Sequence, residues 1–296
     1  MTITELFNQG KEKLVGAGIP DAANDAFLLL SFVTKVTRSR FYAHPELTVS
    51  KDEERLYLRL ISKRKDRIPL QHLTGECDFM GYTFYVNENV LIPRQDTEIL
   101  AETALSFLRG SGSFRILDIG TGSGCILLSI IKFAEQYDLS VSGVAADISA
   151  GALDVAKKNA ERLGISKDRV SFIESDLFSS INSSIDNKRP KAADEEKFDL
   201  IISNPPYIPT SDIDELQDEV RFYDPAIALD GGEDGLDFYR KIAAEAPDYL
   251  RESGELLLEI GFNQAKDVSA ILKSDGFTDI VVKKDLAGLD RVVIAR

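Results

Sequence analysis

Residues 115–137 read RILDIGTGSGCILLSIIKFAEQY. An apolar run, Arg115–Ile119, stops at three strictly alternating glycines, Gly120, Gly122 and Gly124. A stretch with helical character, Cys125–Tyr137, follows at once. The pattern predicts a strand, a sharp turn and a helix. Glycine at such a turn lets the backbone bend tightly and approach a ligand closely. The loop alone leaves two readings open, a dinucleotide-type loop or a plain tight turn. Its spacing is not G-x-G-x-x-G, and no Lys-Ser/Thr follows the last glycine, so it is not a P-loop.

Outward from this stretch, strands and helices alternate. Further strands are predicted at Val141–Ala146, Val170–Glu174, Asp199–Ser203, Glu255–Ile260, Ile280–Lys283 and Arg291–Ala295. A helix is predicted at Ala150–Leu163, with Gly164 as its stop. Such alternation implies an α/β fold with a mostly parallel sheet covered by helices on both faces. Only Asp285–Asp290 join the last two strands, too short for a parallel crossover, so that pair should be antiparallel. Upstream, a helix should run from about Asp96 to Leu108 and stop at Gly110. Tyr82–Val86 and Val90–Ile92, separated by Asn87-Glu88-Asn89, read as a β-hairpin. Residues 181–197 (INSSIDNKRPKAADEEK) read as a polar surface loop without chemistry.

The first 75 residues read as helices. Thr2 with Glu5, and Ser50 with Glu53, have capping-box spacing. Pro20-Asp21 should open another helix. After Ser50, Leu56, Leu60 and Ile61 should face inward, leaving Arg55, Arg59, Lys63, Arg64 and Lys65 on a basic polar face. The expected organisation is a helical domain at 1–75, a β-hairpin linker at 76–95 and a larger α/β domain at 96–296. Composition supports the division, since about 100–200 residues per domain is usual. Residues 1–75 hold 12 Lys+Arg against 9 Asp+Glu, a net +3, whereas residues 76–296 hold 23 against 40, a net −17.

The chain is 296 residues long, 44% hydrophobic and 28% charged, which excludes global disorder. A net charge of −14 argues against a broad grip on nucleic-acid phosphate. Two lone cysteines, Cys77 and Cys125, make neither a disulfide framework nor zinc spacing, which favours a reducing, cytoplasmic setting. The N-terminus lacks the layout of a signal peptide, and no long apolar run suggests a membrane span. With two histidines and no His/Cys cluster, no bound metal is expected.

Three further strand ends carry chemistry. Asp147 stands at the tip of the second strand, where a carboxylate can accept both ribose hydroxyls of an adenosine or can cap the next helix. Asp176, with Leu177 and Phe178, ends the third strand; it can accept from an adenine amino group while an apolar neighbour covers the ring. After the buried run Phe198–Ser203 comes Asn204-Pro205-Pro206-Tyr207. Two prolines remove two N–H donors and stiffen the backbone. The Asn204 side-chain oxygen and the Pro205 carbonyl then form a fixed pair of acceptors, suited to a substrate NH2 with two hydrogens to donate. Tyr207 offers a flat face to a planar group.

Asp118–Gly124, Asp147 and Asn204–Tyr207 together resemble the motifs of class I S-adenosylmethionine-dependent methyltransferases that modify planar amino or amide nitrogens. Pro69–Glu76, Phe84–Val86, Leu91–Glu98, Glu259-Ile260-Gly261 with Gln264, and Lys283–Arg291 narrow the resemblance to the release factor glutamine methyltransferases, the PrmC/HemK family. Gln95 and Asp224 depart from that pattern, where Pro and Glu are usual. The resemblance implies a Rossmann-like, seven-stranded methyltransferase domain with a small N-terminal helical domain that recognises the acceptor. It implies S-adenosylmethionine as donor and S-adenosylhomocysteine as product. The donor would be bound by Gly120, Thr121, Gly122, Ser123, Gly124, Asp147, Asp176, Leu177 and Asn204. Asn204, Pro205 and Tyr207 would be catalytic, and Asn204, Pro205, Pro206 and Tyr207 would bind the acceptor. The implied acceptor is the glutamine of the Gly-Gly-Gln motif in class 1 peptide chain release factors, modified on its side-chain amide nitrogen by a monomeric cytoplasmic enzyme without direct contact to nucleic acid or membrane. Three alternatives remain: a ribosomal-protein glutamine methyltransferase, a nucleic-acid amino-group methyltransferase, and a binding module that keeps the fold without turnover.

Overall fold

The computed structural model describes residues 1–108, 112–181 and 197–296. The expected helix stop at Gly110 and the interior of the polar 181–197 stretch lie outside the described residues. The described chain divides into two compact units. One comprises Met1–Glu76 with Gln217–Tyr223, the other Cys77–Leu216 with Asp224–Arg296. The short 217–223 segment thus groups with the helical unit, whereas the sequence predicts it within the α/β domain.

The helical unit contains α1 (Ile3–Gly16), α2 (Ala22–Thr34), α3 (Arg38–Ala43), α4 (Lys51–Lys65) and α5 (Leu70–Thr74), together with the later turn α9 (Asp218–Arg221). Both capping boxes form: Thr2 and Ser50 each accept from the backbone N–H three residues on, and Glu5 and Glu53 reach back. Each box satisfies two helix-end donors. Leu6, Leu14, Leu30, Tyr57 and Ile61 make the core. The inward stripe of α4 differs from the sequence expectation. It runs Tyr57, Leu60, Ile61, Arg64, while Leu56 is 42% exposed. Tyr57 fits because Gly10 leaves room, since a Cβ there would come within 2.0 Å of its hydroxyl. That hydroxyl donates to Ala26 O at 3.2 Å. Arg64, expected on the basic surface, lies instead on the i+7 position of the buried stripe and is neutralised there. Its guanidinium pairs with Asp25 at 2.7 Å and with Glu219 of α9 at 3.1 Å.

The second unit opens with a two-stranded hairpin, β1 (Glu76–Phe79) and β2 (Tyr82–Tyr85). Its turn is Met80-Gly81, not Asn87–Asn89, and Val90–Ile92 form no strand. Met80 and Gly81 have φ +51° and +75°, the pair of positive values that a two-residue hairpin turn with matching twist requires. Glu98 accepts from the Met80 N–H at 2.6 Å and so supports the strained residue. Val90 and Ile92 pack instead against Val86, Ala152 and Val155.

After α6 (Glu98–Phe107) come β3 (Ser113–Ile119), α7 (Cys125–Gln136), β4 (Ser140–Asp147), α8 (Ala150–Arg162), β5 (Val170–Glu174) and β6 (Phe198–Ser203). Then follow α10 (Asp237–Tyr249), β7 (Leu250–Glu259), α11 (Ala265–Ser274), β8 (Ile280–Lys284) and β9 (Asp290–Ala295). The seven-stranded sheet has the order β5-β4-β3-β6-β7-β9-β8. Its first five strands are parallel, and β9 is antiparallel to both β7 and β8, as the short connection required. Alternate residues feed two cores. Leu117, Ile201, Leu256 and Leu258 pack with Tyr239, Ile242, Val268 and Leu272 of α10 and α11. Ile116, Leu200, Ile202 and Leu257 pack with Leu100, Ala104, Leu128 and Ile131 of α6 and α7. Full burial of one such side chain stabilises by about 1.5–3 kcal/mol. The chain order reverses between β3 and β6, the place where open α/β sheets collect ligands beyond the strand ends.

Candidate active site

Register brings the chemistry together. Ile119 pairs with Ala146 on one side and with Ser203 on the other, and Asp147 pairs with Glu174. The next residues, Gly120, Asp147, Ser175 and Asn204, therefore emerge at one level along the carboxyl edge of four neighbouring strands. They line a cavity of about 330 Å³ that also takes in Thr121, Gly122, Ser123, Asp176, Leu177, Pro205 and Pro206.

The glycine loop is pinned from two sides. The Gly120 and Thr121 N–H groups donate to Ala146 O at 2.8 and 3.0 Å. The Gly122 N–H donates to Asp147 Oδ2 at 2.9 Å. Gly120 and Gly122 have φ +70° and +53°, and a Cβ on either would meet nothing within 4 Å. Their bare backbone faces open space, as a ligand cradle should. Gly124 is different and does not line the cavity. It begins α7 at φ +79°, and a Cβ there would press on Leu128 at 2.8 Å, so the fold needs glycine at this point for packing. Asp118 is fully buried and accepts from the Thr121 hydroxyl at 2.7 Å. Burial pushes its pKa up to about 7, against the pull of that hydrogen bond.

Asp147 does not cap α8, the cap that the sequence left open for it or Ser149; Ser149 does. Asp147 Oδ1 accepts from the Ser149 N–H at 2.9 Å, while the Ser149 hydroxyl caps α8. Each carboxylate oxygen so engaged retains a further lone pair, and the residue lines the cavity. Burial raises its pKa, and the bonds from Ser149 and Gly122 oppose that. Beside it, Leu177 sits at φ +49°, and its carbonyl accepts from Ser175 Oγ at 2.7 Å. The unusual backbone turns Leu177 to the cavity. Phe178, the other candidate ring cover, is 1% exposed and stacks on Tyr249 in the core.

Asn204 Nδ2 donates to Thr97 Oγ1 at 3.3 Å. Tyr207, expected to offer a flat face, does not line the cavity; its ring packs against the core and its carbonyl accepts from Gln264 Nε2 at 2.9 Å. Gly231 and Gly235 let a second segment lie on this turn. A Cβ on Gly231 would come within 2.8 Å of Pro206 O, and one on Gly235 within 2.4 Å of Tyr207 O. The sequence reading gives no role to these glycines. It also gives none to the members of Arg94–Glu98 individually, which act as fasteners. Arg94 pairs with Asp224 at 2.5 Å, and Asp96 pairs with Arg291 at 3.1 Å. Thr97 meets Asn204, and Glu98 holds the hairpin turn. Val90, Leu91, Ile227 and Phe238 add apolar wall to the cavity, which Arg94 and Lys241 also line. No local periodicity marks those residues, because they meet only through the tertiary fold.

A seven-stranded sheet of this order, with a bare glycine cradle on one strand and an acid at the tip of the next, defines an S-adenosylmethionine-dependent methyltransferase of class I. A methyltransferase domain matches residues 111–277, and a PrmC N-terminal domain matches residues 5–75. The chain is 40% identical over 271 residues to the release factor glutamine methyltransferase of Clostridium acetobutylicum, covering 92% of this chain and 90% of that protein. It is 40% identical to that of Agrobacterium fabrum, covering 100% and 97%, and 38% identical to that of Geobacter sulfurreducens, covering 100% and 96%. The chain belongs to the release factor glutamine methyltransferase family.

More distant solved structures share the fold. The N-terminal domain of human METTL16 in complex with SAH has a TM-score of 0.51 at 16% identity, covering 92% of this chain and 93% of that one. The T. thermophilus 16S rRNA N2 G1207 methyltransferase RsmC, in complex with AdoMet and guanosine, has a TM-score of 0.51 at 17% identity, covering 75% and 49%. The residues present fit the methyl donor. Bare backbone at Gly120 and Gly122, a carboxylate at Asp147 and an apolar wall at Leu177 and Ile148 suit a methionyl tail, a ribose and an adenine.

Proposed function

We propose that this enzyme methylates the side-chain amide nitrogen of the glutamine in the Gly-Gly-Gln motif of class 1 peptide chain release factors. The observation that carries the reading is the placement of Asn204 and Pro205 on the same cavity as the glycine cradle and Asp147. In this reading Gly120, Thr121, Gly122 and Ser123 hold the donor's tail, Asp147 its ribose, and Asp176 and Leu177 its adenine. Gly124 serves by starting α7. Bound there, S-adenosylmethionine supplies an electrophilic methyl on a positive sulfonium.

An amide nitrogen is a weak nucleophile because its lone pair is delocalised. Asn204 Oδ1 and the Pro205 carbonyl accept its two hydrogens and turn the lone pair toward the donor side of the cavity. This is catalysis by proximity and orientation. Among the described residues no histidine lines the cavity, and none is needed, since a methylated amide nitrogen sheds its proton readily. Pro206 fixes the backbone of the turn, and Tyr207 supports it through the bond from Gln264.

Residues 1–75, net +3 against −17 for residues 76–296, are the part we assign to recognition of the protein acceptor. The acidic catalytic part argues against a nucleic-acid acceptor. No helix among the described residues is long and apolar enough to cross a membrane, and we place the enzyme in the cytoplasm as a monomer. Mass spectrometry of a purified release factor, after incubation with enzyme and donor, tests the reading. A single methyl on the Gly-Gly-Gln glutamine is expected. An unmodified release factor beside a methylated ribosomal protein, DNA or RNA would overturn it.

A further inference from the structure

Glu259 ends β7 one residue beyond Leu258, and Leu258 pairs with Ser203. Glu259 therefore stands beside Asn204 at the carboxyl edge. Side chains alternate along strands. Ile202 and Leu257 both pack into the core that α6 covers, so Asn204 and Glu259, two residues further along each strand, face the same side. Thr97, at the start of α6, is there to meet them. Glu259 is 2% exposed and Thr97 3%. Asn204 Nδ2 donates to Thr97 Oγ1 at 3.3 Å, and the Glu259 carboxyl group lies beside both side chains, its Oε2 without a hydrogen-bond partner.

A buried carboxylate with an unpartnered oxygen is costly. Arg291 lies nearby but makes its ion pairs with Asp96 and Asp285, at 3.1 and 3.0 Å. Burial consequently pushes the Glu259 pKa up to about 7. A fold that needed only packing here would be served by an apolar side chain. What the carboxylate adds is selection. A side-chain amide is nearly symmetric in shape, but one end donates and the other accepts. In its ionised form, which dominates above about pH 7, the Glu259 carboxylate accepts only. It attracts the Asn204 NH2 and repels Oδ1. With Thr97 Oγ1 taking one amide hydrogen and the ionised Glu259 beside the same NH2, Oδ1 is the end left for the cavity.

We propose that Glu259, assisted by Thr97, is a positioning residue that fixes the amide orientation of Asn204, so that Oδ1 rather than the NH2 group faces the acceptor amide. This rests on the reading of Asn204 as the group that orients the acceptor. A flipped Asn204 would present donors to donors, and the acceptor nitrogen would lose its alignment.

The test is a double-mutant cycle on the full-length enzyme. Single-turnover methylation of the release factor at saturating donor is measured for wild type, Glu259→Gln, Asn204→Ala and the double variant, beside calorimetric donor affinity. The introduced carboxamide can present either end to Asn204, so Glu259→Gln should slow turnover by on the order of 10–10²-fold, the scale of misaligned reacting groups. Donor affinity should stay within about twofold. In the Asn204→Ala background the same substitution should change the rate by less than about twofold, because neighbours acting through one group are not additive. Thr97→Val, which removes one hydroxyl at nearly constant volume, should show the same pattern more weakly and guards against misfolding of the Glu259 variant. Wild-type turnover in Glu259→Gln, or an equal loss with and without Asn204, would overturn the proposal. A wild-type enzyme that methylates another acceptor instead would overturn the acceptor assignment alone, and the cycle would be read on that acceptor.

Discussion

Arg64 of the helical unit and two acids of the catalytic unit are buried in opposite ways, although the catalytic unit also pairs buried Asp224 with Arg94 and Asp285 with Arg291. In the helical unit, Arg64 is 7% exposed but flanked by Asp25 and Glu219, an acid on either side of one guanidinium. Burial still raises the Asp25 pKa, with Arg64 pulling against it. In the catalytic unit, Asp118 and Glu259 are buried with hydroxyl or amide partners and, among the described residues, no ion pair, and both are pushed up to about 7. The first arrangement is what a fold tolerates when a long side chain must cross a core. The second costs stability, and both acids sit directly behind the functional loops. Asp118 backs the glycine cradle and Glu259 backs Asn204. Uncompensated burial at these two acids therefore coincides with the candidate site.

The largest effect should come from breaking the compensated cluster. Arg64→Met leaves the buried Asp25 carboxylate without its cation, while Glu219 keeps Arg67 at 3.2 Å, and loss of one member of a buried ion pair typically costs about 3–5 kcal/mol. Thermal or urea unfolding should show that loss. A change below about 1 kcal/mol would mean that the cluster is solvated and the contrast between the units is false.

Next is Asn204→Ala. On the proposed reading, which gives the donor grip to the glycine loop and Asp147, donor affinity should hold while single-turnover rate falls by on the order of 10²-fold. Wild-type turnover would reduce Asn204–Tyr207 to a strand exit. Asp147→Ala should act the other way round. It removes a charged acceptor at the strand tip, each such hydrogen bond being worth about 1.5–3 kcal/mol. Donor affinity measured by calorimetry should fall accordingly. The bond from the Gly122 N–H adds a second route to the same loss, since the loop would slacken. Unchanged affinity would leave Asp147 as a helix-start brace only.

Much of the fold, but not this contrast, was legible in the sequence, and the missing part has a physical pattern. Most strands were readable because each is a short apolar run ended by glycine or an acid, and the antiparallel end followed from loop length. The site's strand-tip residues were readable for the same reason. The hairpin was misplaced because Asn87–Asn89 has better turn chemistry than Met80-Gly81, whose positive φ at Met80 is sustained by a distant carboxylate. Arg64 was placed on the surface because its second partner, Glu219, is 155 residues away. Glu259 was visible only as part of a family pattern; its role needs the register between β6 and β7. Whatever depends on contacts between distant segments has no local periodicity to reveal it.

The smallest effect, and the most direct test of the uncompensated class, is pH dependence at Asp118. Its ordinary pKa of 3.8 is raised to about 7 in the folded state. Across that interval the folded protein holds a proton that the unfolded chain has released. Stability must then fall as pH rises through the window, and the contribution is complete only below the unfolded value. Asp118→Asn keeps an acceptor for the Thr121 hydroxyl but cannot ionise. Between about pH 6 and 7, wild type should lose about 1 kcal/mol relative to this variant, since one proton corresponds to about 1.4 kcal/mol per pH unit. Urea titrations at a series of pH values measure the difference. Parallel profiles for the two proteins would show that Asp118 carries its charge without penalty at neutral pH. The carboxylate behind the cradle would then be as well compensated as the cluster around Arg64, and the distinction between the two units would fail at that end of the sheet.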